Sequence, residues 1–345
     1  MLPQGIVASF LISTLGWTIA AHPTWSKVPA KTYAKCQRPA KHHPLDDCPK
    51  HTLYVSKDAA VANFTTIQDA ILSLPNNTDA YTILIAPGDY NEQLNVTRQG
   101  PLTLLGVSDR PWKGKSYSNI DYDTSSSNRV TVLWAMANHD SSGKIVDNAV
   151  TSVLTVAPTW ESSKSGFGPT GWPVPDGTPF GCEDFRAYNI DFRNYAADAA
   201  DGPAHAAGIS RANAGFYSCG LYSYQDTILA DNATIAADIK NLCPLGRPWN
   251  ELHRSIFMNT YFDASILPAG YIDWNGGRFN NQTFMATYSD FGPGWDPEAE
   301  KNSNRTIVLD RKGVSGYDTP TKVFANEDGK LGKIGWIDHT VVSKN

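Results

Sequence analysis

Charge is scarce in this chain of 345 residues, because only 18% of them are Asp, Glu, Lys or Arg. An average soluble domain has about 25%. The net charge of −5 also leaves no basic excess, so the chain lacks the positive surface that phosphate backbones require. We therefore expect no nucleic-acid partner. Uncharged Asn, Ser, Thr and Gly supply the polar surface instead, which favours a β-rich exported protein.

Long hydrophobic runs are also missing, although hydrophobic residues make up 41% of the chain and can form a core. After residue 21, no segment approaches the roughly 20 apolar residues that cross a bilayer. Residues 1–21 carry no charged side chain, and their apolar stretch ends at the small residues Ala20 and Ala21. This pattern predicts a secretory signal peptide, with a buried or membrane helix as the alternative. We expect a secreted, extracellular protein without a membrane partner.

Cysteine is rare, and no two of the five cysteines have the spacing that structural zinc sites prefer. Cys36 and Cys48 lie in a Pro- and Lys-rich segment that has no other obvious stabilising cross-link, and we expect them to form a disulfide. Cys219 lies in an apolar strand pattern that predicts a buried free thiol. Glycosylation sequons support export and predict a glycoprotein. They begin at Asn63, Asn76, Asn95, Asn232, Asn281 and Asn304.

Helical periodicity is clear only over residues 64–74, and short strand-like runs with variable loops follow. We expect an extended arm at 22–51 and one domain at 52–345. Three runs place a small or amide residue three positions before an aromatic one, which indicates an all-β solenoid, a parallel β-helix. They start at Asn189, Cys219 and Asn259. The helix would cap the open end. A β-sandwich is the alternative, but Asn275-Gly276 is the only Asn-Gly hairpin signal.

Two segments carry side chains suited to a sugar-ester site. An alternating apolar strand leads to Gln225 and Asp226, an amide beside a carboxylate. Further along, Arg247 and Trp249 are two residues apart, so both project the same way from an extended backbone. The amide can hold an oxyanion, and the arginine can orient a carboxylate. The indole can stack on a sugar ring.

These segments resemble the pectin methylesterases (pectinesterases), especially their divergent fungal-type branch. The Leu-Gly-Arg-Pro-Trp string at 245–249 carries most of the resemblance, because it is much rarer by chance than Gln-Asp-Thr at 225–227. The other matching stretches are residues 64–71, 85–92, 188–194, 215–224 and 270–274.

The resemblance implies a right-handed parallel β-helix that hydrolyses methyl esters of polygalacturonate and releases methanol, with no metal or other cofactor. By motif, Asp226 is the general acid/base and Gln225 an oxyanion donor. Arg247 orients a nucleophilic Asp, and Trp249 binds the substrate as a sugar platform. The implied partner is methyl-esterified pectin, and we expect a monomer. The two carboxylates would work through separated pKa values.

The chain departs from this family pattern twice. The nucleophilic Asp normally lies in an Asp-Phe-[Ile/Leu]-x-Gly strand between the two motifs, but the gap here holds only Asp231 and Asp238, without those neighbours. Upstream, His205 begins a His-Ala-Ala-Gly run where the family often has a second oxyanion Gln. We interpret the first departure as deletion of the coil that carries the nucleophile, through an alternative transcript, a mispredicted exon or genuine loss.

Two functions therefore remain open. The chain is a pectin methylesterase that is active in its complete form, or a non-catalytic pectin-binding β-helix that keeps Trp249. A polygalacturonase or pectate lyase on the same fold is a weaker alternative, because no clustered Asp pair or calcium site is seen. His205 and His253 are expected to be structural or solvated, since the resemblance gives them no role.

Overall fold

The structure is a computed structural model. It describes residues 30–40, 42–111, 128–139, 145–164, 177–196, 202–223, 240–248, 253–262, 264–274, 277–324 and 334–338. The predicted signal peptide at 1–21 lies outside the described residues.

Short strands dominate the described part of the chain. They are β1 (Thr52–Val55), β2 (Tyr81–Ile85), β3 (Gly88–Asn91), β4 (Leu94–Val96), β5 (Leu102–Gly106), β6 (Val130–Trp134), β7 (Leu154–Val156), β8 (Phe185–Tyr188), β9 (Asp191–Asn194), β10 (Ala207–Ile209), β11 (Ala214–Tyr217), β12 (Gly220–Tyr222), β13 (Arg254–Met258), β14 (Phe284–Tyr288) and β15 (Ile307–Val308). The helices are α1 (Ala30–Cys36), α2 (Ile67–Leu72), α3 (Asn148–Thr151), α4 (Trp160–Ser163), α5 (Pro297–Asn302), α6 (Arg311–Val314) and α7 (Pro320–Val323).

Three parallel sheets surround the main core. Sheet A has the order β1-β2-β5-β8-β11, sheet B has β12-β9-β6-β3, and sheet C has β10-β7-β4. The chain visits A, B and C in turn, so β2, β3 and β4 form one circuit on which β5, β6 and β7 stack. Every pairing between described strands of these sheets is parallel. This arrangement confirms the predicted parallel β-helix and excludes the β-sandwich.

The corner between sheets A and B corrects the predicted internal register. Asp191 pairs with Gly220, so Asn189 is aligned with Ser218, and Cys219 lies one position further on. Asn189 and Ser218 both have left-handed backbone, with φ of 53° and 54°. Asn tolerates this conformation better than most residues because its short side chain can bond locally. The repeated small or amide residue therefore marks a left-handed corner. Its distance from the following aromatic residue differs between the two coils and does not define the register.

Helix α2 covers the N-terminal end of the solenoid, as predicted, over a shorter range than residues 64–74. It packs against β1, β2 and β4. The Thr66 side chain accepts the Asp69 backbone N–H. The Glu92 carboxylate accepts the N–H groups of Ile67 and Gln68 at 3.0 and 2.8 Å. Two side chains thus satisfy the backbone donors that a helix start leaves open.

Helix α1 forms within the segment that the composition predicts as an extended arm. It covers the outer face of sheet A, where the Tyr33 ring lies 5.5 Å from the Tyr188 ring. The buried Gln37 amide donates to the Gly106 carbonyl at 2.9 Å. The predicted disulfide between Cys36 and Cys48 is present. The predicted arm forms a helix because its apolar side chains, at helical spacing, pack on the outer face of sheet A. Composition alone does not predict this contact.

Two further features shape the rest of the molecule. Strands β13, β14 and β15 form a separate parallel sheet, sheet D. Residues 334–338 return to sheet A, where Tyr188 donates to the Asp338 carboxylate at 2.7 Å and Asp338 N–H donates to Tyr217 Oη at 2.8 Å. Among the described helices, none is long and apolar enough to span a bilayer.

Candidate functional site

Of the residues predicted to form the site, the structure describes only Arg247. Gln225, Asp226 and Trp249 lie outside the described residues, as does Asp231. Their roles as oxyanion donor, acid/base, sugar platform and substitute nucleophile therefore stay predictions.

Backbone hydrogen bonds place the Leu-Gly-Arg-Pro segment beside residues 270–274. Leu245 N–H donates to the Gly270 carbonyl at 2.9 Å, and Ile272 N–H donates to the Gly246 carbonyl at 3.1 Å. Two of the sequence stretches that resemble pectinesterases are therefore neighbours in space. This pairing fixes the backbone from which Arg247 projects.

Arg247 lies on the face of an indole that sequence reasoning did not single out. Its guanidinium carbon is 3.8 Å from the centroid of the Trp274 ring, and that of Arg278 is 4.6 Å away. A cation held on an aromatic face in this way gains roughly 0.5–2 kcal/mol. This contact restrains the position of the Arg247 guanidinium, and a restrained guanidinium can orient a carboxylate. The signal for Trp274 in the sequence was its place in the matched stretch at 270–274.

Asp273 organises the loop that carries this indole. Its Oδ1 accepts backbone N–H groups from Trp274 at 2.8 Å and Arg278 at 2.9 Å. Arg305 lies 3.5 Å from Oδ2. Burial alone would raise the pKa of Asp273, but the backbone donors and Arg305 outweigh it and lower that pKa. With its oxygens taken up by these donors, the carboxylate positions the loop.

His205 lies just before β10 (Ala207–Ile209) of sheet C. Its Nδ1 is 3.0 Å from Thr151 Oγ1, which also accepts the His205 backbone N–H at 3.0 Å. The buried Asn194 amide donates to the carbonyls of Thr151 and His205 at 2.8 and 3.2 Å. Thr151 and Asn194 thus hold the histidine at a defined place beside the adjoining coil.

A pocket of about 140 Å³ opens next to His205, between sheet C and helices α3 and α4. We call it the Thr155 pocket. Its walls include Ser152, Ser163, His205 and Gly208. Ser210 Oγ donates to the Ser162 carbonyl at 2.7 Å, which ties α4 to β10. Small side chains therefore line this concave part of the outer surface, and more of the area that they expose is apolar than polar.

The two Asp-Phe pairs that precede the Gln-Asp-Thr motif, at 184–185 and 191–192, lie in structural ion pairs. Asp184 receives Arg186 through two bonds of 2.7 and 2.9 Å. Asp191, only 1% exposed, receives Arg193 at 3.0 Å and the Asn128 amide at 2.8 Å. Both carboxylates stabilise strands of sheets A and B.

His253 directly precedes β13 of sheet D and bonds to residues near it. Its Nε2 lies 3.0 Å from Ser255 Oγ, and this hydroxyl donates to Tyr271 Oη at 3.0 Å. Burial lowers the pKa of His253 and so favours its neutral form. No group of three or more His, Cys, Asp or Glu side chains in the described part of the chain could hold a metal ion.

Comparisons with known proteins show which family segment 228–306 resembles. The family model for pectinesterase matches residues 228–306, a range that includes Arg247, Trp249 and Trp274. The probable pectinesterase/pectinesterase inhibitor 7 of Arabidopsis thaliana is 24% identical over 316 residues, covering 70% of this chain and 46% of that protein. Pectinesterase 2 of Citrus sinensis is 31% identical over 74 residues, covering 21% of this chain and 14% of that protein. The chain thus matches less than half of each of these two relatives.

Solved structures share the fold. The pectin methylesterase from carrot superposes with a TM-score of 0.54 at 14% identity, covering 85% of this chain and 97% of its own. The pectin methylesterase of Erwinia chrysanthemi gives 0.53 at 19% identity, covering 82% of this chain and all of its own. At these identities the likeness concerns the parallel β-helix alone. Residues 228–306 match the pectinesterase family model, and the sequence relatives carry pectinesterase names, so the chain is similar to the pectinesterase family.

Proposed function

We propose that this protein is an extracellular pectin methylesterase, a carboxylic ester hydrolase that acts on methyl-esterified polygalacturonate. The observation that carries the proposal is the pairing of residues 245–246 with 270–272, which places Arg247 on Trp274 inside the matched segment 228–306. A fixed guanidinium beside flat apolar rings suits a sugar ester whose hydrolysis passes through charged carboxylates. Structures of pectin methylesterases with bound hexasaccharides share this fold and support pectin as the ligand.

The proposed reaction divides the work between two carboxylates. One, held ionised by Arg247, attacks the ester carbon, and Gln225 donates to the oxygen that becomes negative. Asp226 gives its proton to the departing methoxy group, so methanol leaves and an acyl-enzyme forms. Asp226 then accepts a proton from water, which cleaves the acyl bond and frees the nucleophile. Trp249 would hold the sugar ring during both steps.

The identity of the nucleophile separates the proposal from its alternative. No Asp-Phe pair lies between Asp226 and Arg247. In the part of the chain that the structure describes, no strand lies between β12 and β13. The sequence observation favours a missing coil, and hence a binding module that keeps the Arg247 and Trp249 surface without full activity. For an active chain of this length, we assign the nucleophile to Asp231.

Secretion belongs to the same proposal. The Cys36–Cys48 disulfide suits an oxidising compartment. Of the sequon residues that the structure describes, Asn63, Asn76, Asn281 and Asn304 are exposed, as a glycan requires. We propose that the protein is a secreted glycoprotein that works as a monomer.

Methanol release from highly methylated pectin tests the proposed function. We expect the wild-type chain to release methanol and Asp226→Asn to release at least about 100-fold less, the usual contribution of a general acid/base. Arg247→Lys keeps the charge but loses the planar fork, and should reduce the rate with little effect on folding. If a folded wild-type chain binds pectin but releases no methanol, the binding-module alternative is correct.

A further inference from the structure

The hydrogen bonds around Thr151 determine which nitrogen of the His205 ring carries the proton. Thr151 Oγ1 lies 2.7 Å from the Asn148 carbonyl, which can only accept, so the hydroxyl gives its proton to that carbonyl. The same oxygen accepts the His205 backbone N–H at 3.0 Å. Its second lone pair meets His205 Nδ1 at 3.0 Å. The neutral imidazole therefore carries its proton on Nδ1 and keeps Nε2 as its basic nitrogen.

The backbone that holds this ring is fixed from below. Asn194 is buried, and its amide donates to the carbonyls of Met136, Thr151 and His205 at 2.9, 2.8 and 3.2 Å. When Nε2 takes up a proton, Nδ1–H keeps its bond to Thr151, so the ring does not have to turn during proton transfer. A histidine that is held in this tautomer is suited to act as a general base.

The ring also has access to water. His205 is half-buried and lines the Thr155 pocket. The volume of this pocket is about 140 Å³, and one water in the liquid occupies about 30 Å³. The three residues that follow in the strand are Ala206, Ala207 and Gly208, so no long side chain next to the histidine in the sequence covers its ring.

The order of the chain relates His205 to the proposed acid/base. In each earlier circuit of the described chain, a strand of sheet B is followed by a strand of sheet C: β3 by β4, β6 by β7 and β9 by β10. Strand β12 of sheet B is followed in the sequence by Gln225 and Asp226. This order predicts Asp226 beside β10, the strand that His205 precedes.

We propose that His205 is the general base for the second step of the proposed hydrolysis; this inference rests on the proposed function. Nε2 takes a proton from water as the water oxygen bonds to the acyl carbon and the bond from that carbon to the nucleophile breaks. The imidazolium then passes this proton to Asp226, which gave its own proton to methanol in the first step. The other proton of the water leaves with the product acid and passes to solvent.

Few charged groups surround this base. The elements that contact His205 or line its pocket are α3, α4, β7, β9 and β10, and with their capping residues they carry five charged side chains. They are Asp147, Glu161, Lys164, Asp191 and Arg193. The last four form two ion pairs. None of the five lines the pocket, so the imidazole is the side chain there that changes its charge with pH.

Time-resolved methanol release from highly methylated pectin tests this role, because methanol leaves in the first step. His205→Asn keeps an N–H at the position of Nδ1 and removes the base. We expect a fast burst of about one methanol per protein molecule, since the acyl-enzyme accumulates. The steady-state rate that follows should be about 100-fold below that of the wild type. The acidic limb that protonation of the imidazole gives the wild-type profile should be absent.

His253→Asn is the matched control. His253 is also partly buried and bonded to a neighbouring hydroxyl, that of Ser255, but it lies beside sheet D. This variant should keep the wild-type rates and pH profile. Thr151→Val removes the acceptor of Nδ1–H and should lower the steady-state rate about fivefold, and Thr151→Ser should restore it.

NMR of the imidazole nitrogens tests the tautomer in the protein without substrate. We expect the Nδ1-protonated form of His205 in the wild type and in Thr151→Ser. A wild-type ring protonated on Nε2 would overturn the inference.

The kinetic outcomes separate this inference from the proposed function. A His205→Asn variant as fast as the wild type overturns the base role and leaves the proposed function intact. A variant that loses the burst together with the steady-state rate also overturns it, since His205 then acts before the second step. A folded wild type that releases no methanol overturns the proposed function and the base role with it.

Discussion

Two buried carboxylates in the C-terminal region show how single residues can make stability depend on pH. Asp290 is 2% exposed and accepts the Thr260 N–H at 2.8 Å through Oδ1, while no described group bonds its Oδ2. Glu300 is 3% exposed and accepts from Thr287 Oγ1 at 3.0 Å. Burial raises the pKa of Asp290, and burial together with the charge of Asp290 raises the pKa of Glu300.

The sign of the effect follows from these raised pKa values. An acid with a higher pKa in the folded state stabilises the fold below its unfolded-state pKa, and this contribution is lost as the pH rises through the folded value. We therefore expect the wild-type melting temperature to fall as the pH rises from the normal carboxylate range towards neutrality. Asp290→Asn should raise the melting temperature at pH 7 by a few degrees and flatten the pH profile.

Asp89→Asn serves as the control for this measurement, because Asp89 is exposed and the substitution removes the same formal charge. It should leave the pH profile unchanged. An Asp290→Asn profile that runs parallel to the wild type would show that the buried carboxyl does not titrate in this range.

A contact between two residues could be predicted from the sequence where the two lie close together along the chain. The Cys36–Cys48 disulfide follows from two cysteines in one short polar segment. The Arg247–Trp274 contact does not, because strand pairing between distant segments creates it. Ser218 is a second example. A small or amide residue predicts a left-handed corner, but the sequence offers both Ser218 and Cys219. Only the pairing of Asp191 with Gly220 shows that Ser218 occupies the corner.

At the scale of elements, α2 depends on a carboxylate that comes after it in the chain. Glu92 accepts two N–H groups from the first turn of this six-residue helix, and such a short helix is unstable alone. We expect Glu92→Ala to lower the free energy of unfolding by about 2 kcal/mol, as charged hydrogen bonds at a helix start do. Chemical denaturation measures this change.

Glu298→Ala is the comparison. Glu298 pairs with Lys301 at 2.9 Å on the surface, and exposed pairs of this kind contribute at most about 1 kcal/mol. A loss for Glu92→Ala no larger than that for Glu298→Ala would mean that Thr66 alone caps the helix.

The elements themselves were largely predictable, and their limits were not. Helical periodicity located α2, and apolar runs located β2, β5, β6 and β7, but the sequence did not predict β3, β4 or β10. Helix α1 was missed because its sequence is polar on average, and only Tyr33, Cys36 and Gln37 are buried. Sequence patterns report which faces are apolar. They do not report that a distant sheet offers a surface to cover.

At the scale of the whole molecule, sheets A, B and C surround one core, and sheet D is a separate sheet. In a solenoid each coil contacts only its neighbours, so stability is close to a sum of local terms. Such a molecule can unfold in parts, one group of coils before the other. A chain that has lost a coil would be especially prone to do so.

Residues 334–338 change this expectation, because they follow sheet D in sequence and bond to β8 and β11 of sheet A. Tyr188 and Tyr217 both contact Asp338, and Arg186 donates to the Gly335 carbonyl at 3.0 Å. We expect Asp338→Ala to broaden or split the calorimetric unfolding peak, while Asp318→Ala, in an exposed pair with Lys322, keeps one sharp peak. A single sharp peak for both variants would show that the contact does not couple the two parts.

Residues 334–338 therefore add contacts between the C-terminal end of the described chain and strands β8 and β11, beyond the contacts between neighbouring coils. Melting of the last sheet then releases a group that holds the first one, so the molecule gains cooperativity that its nearest-neighbour architecture does not provide. For a secreted protein exposed to proteases, cooperative unfolding keeps partly opened forms rare, since cleavage depends on the population of such forms.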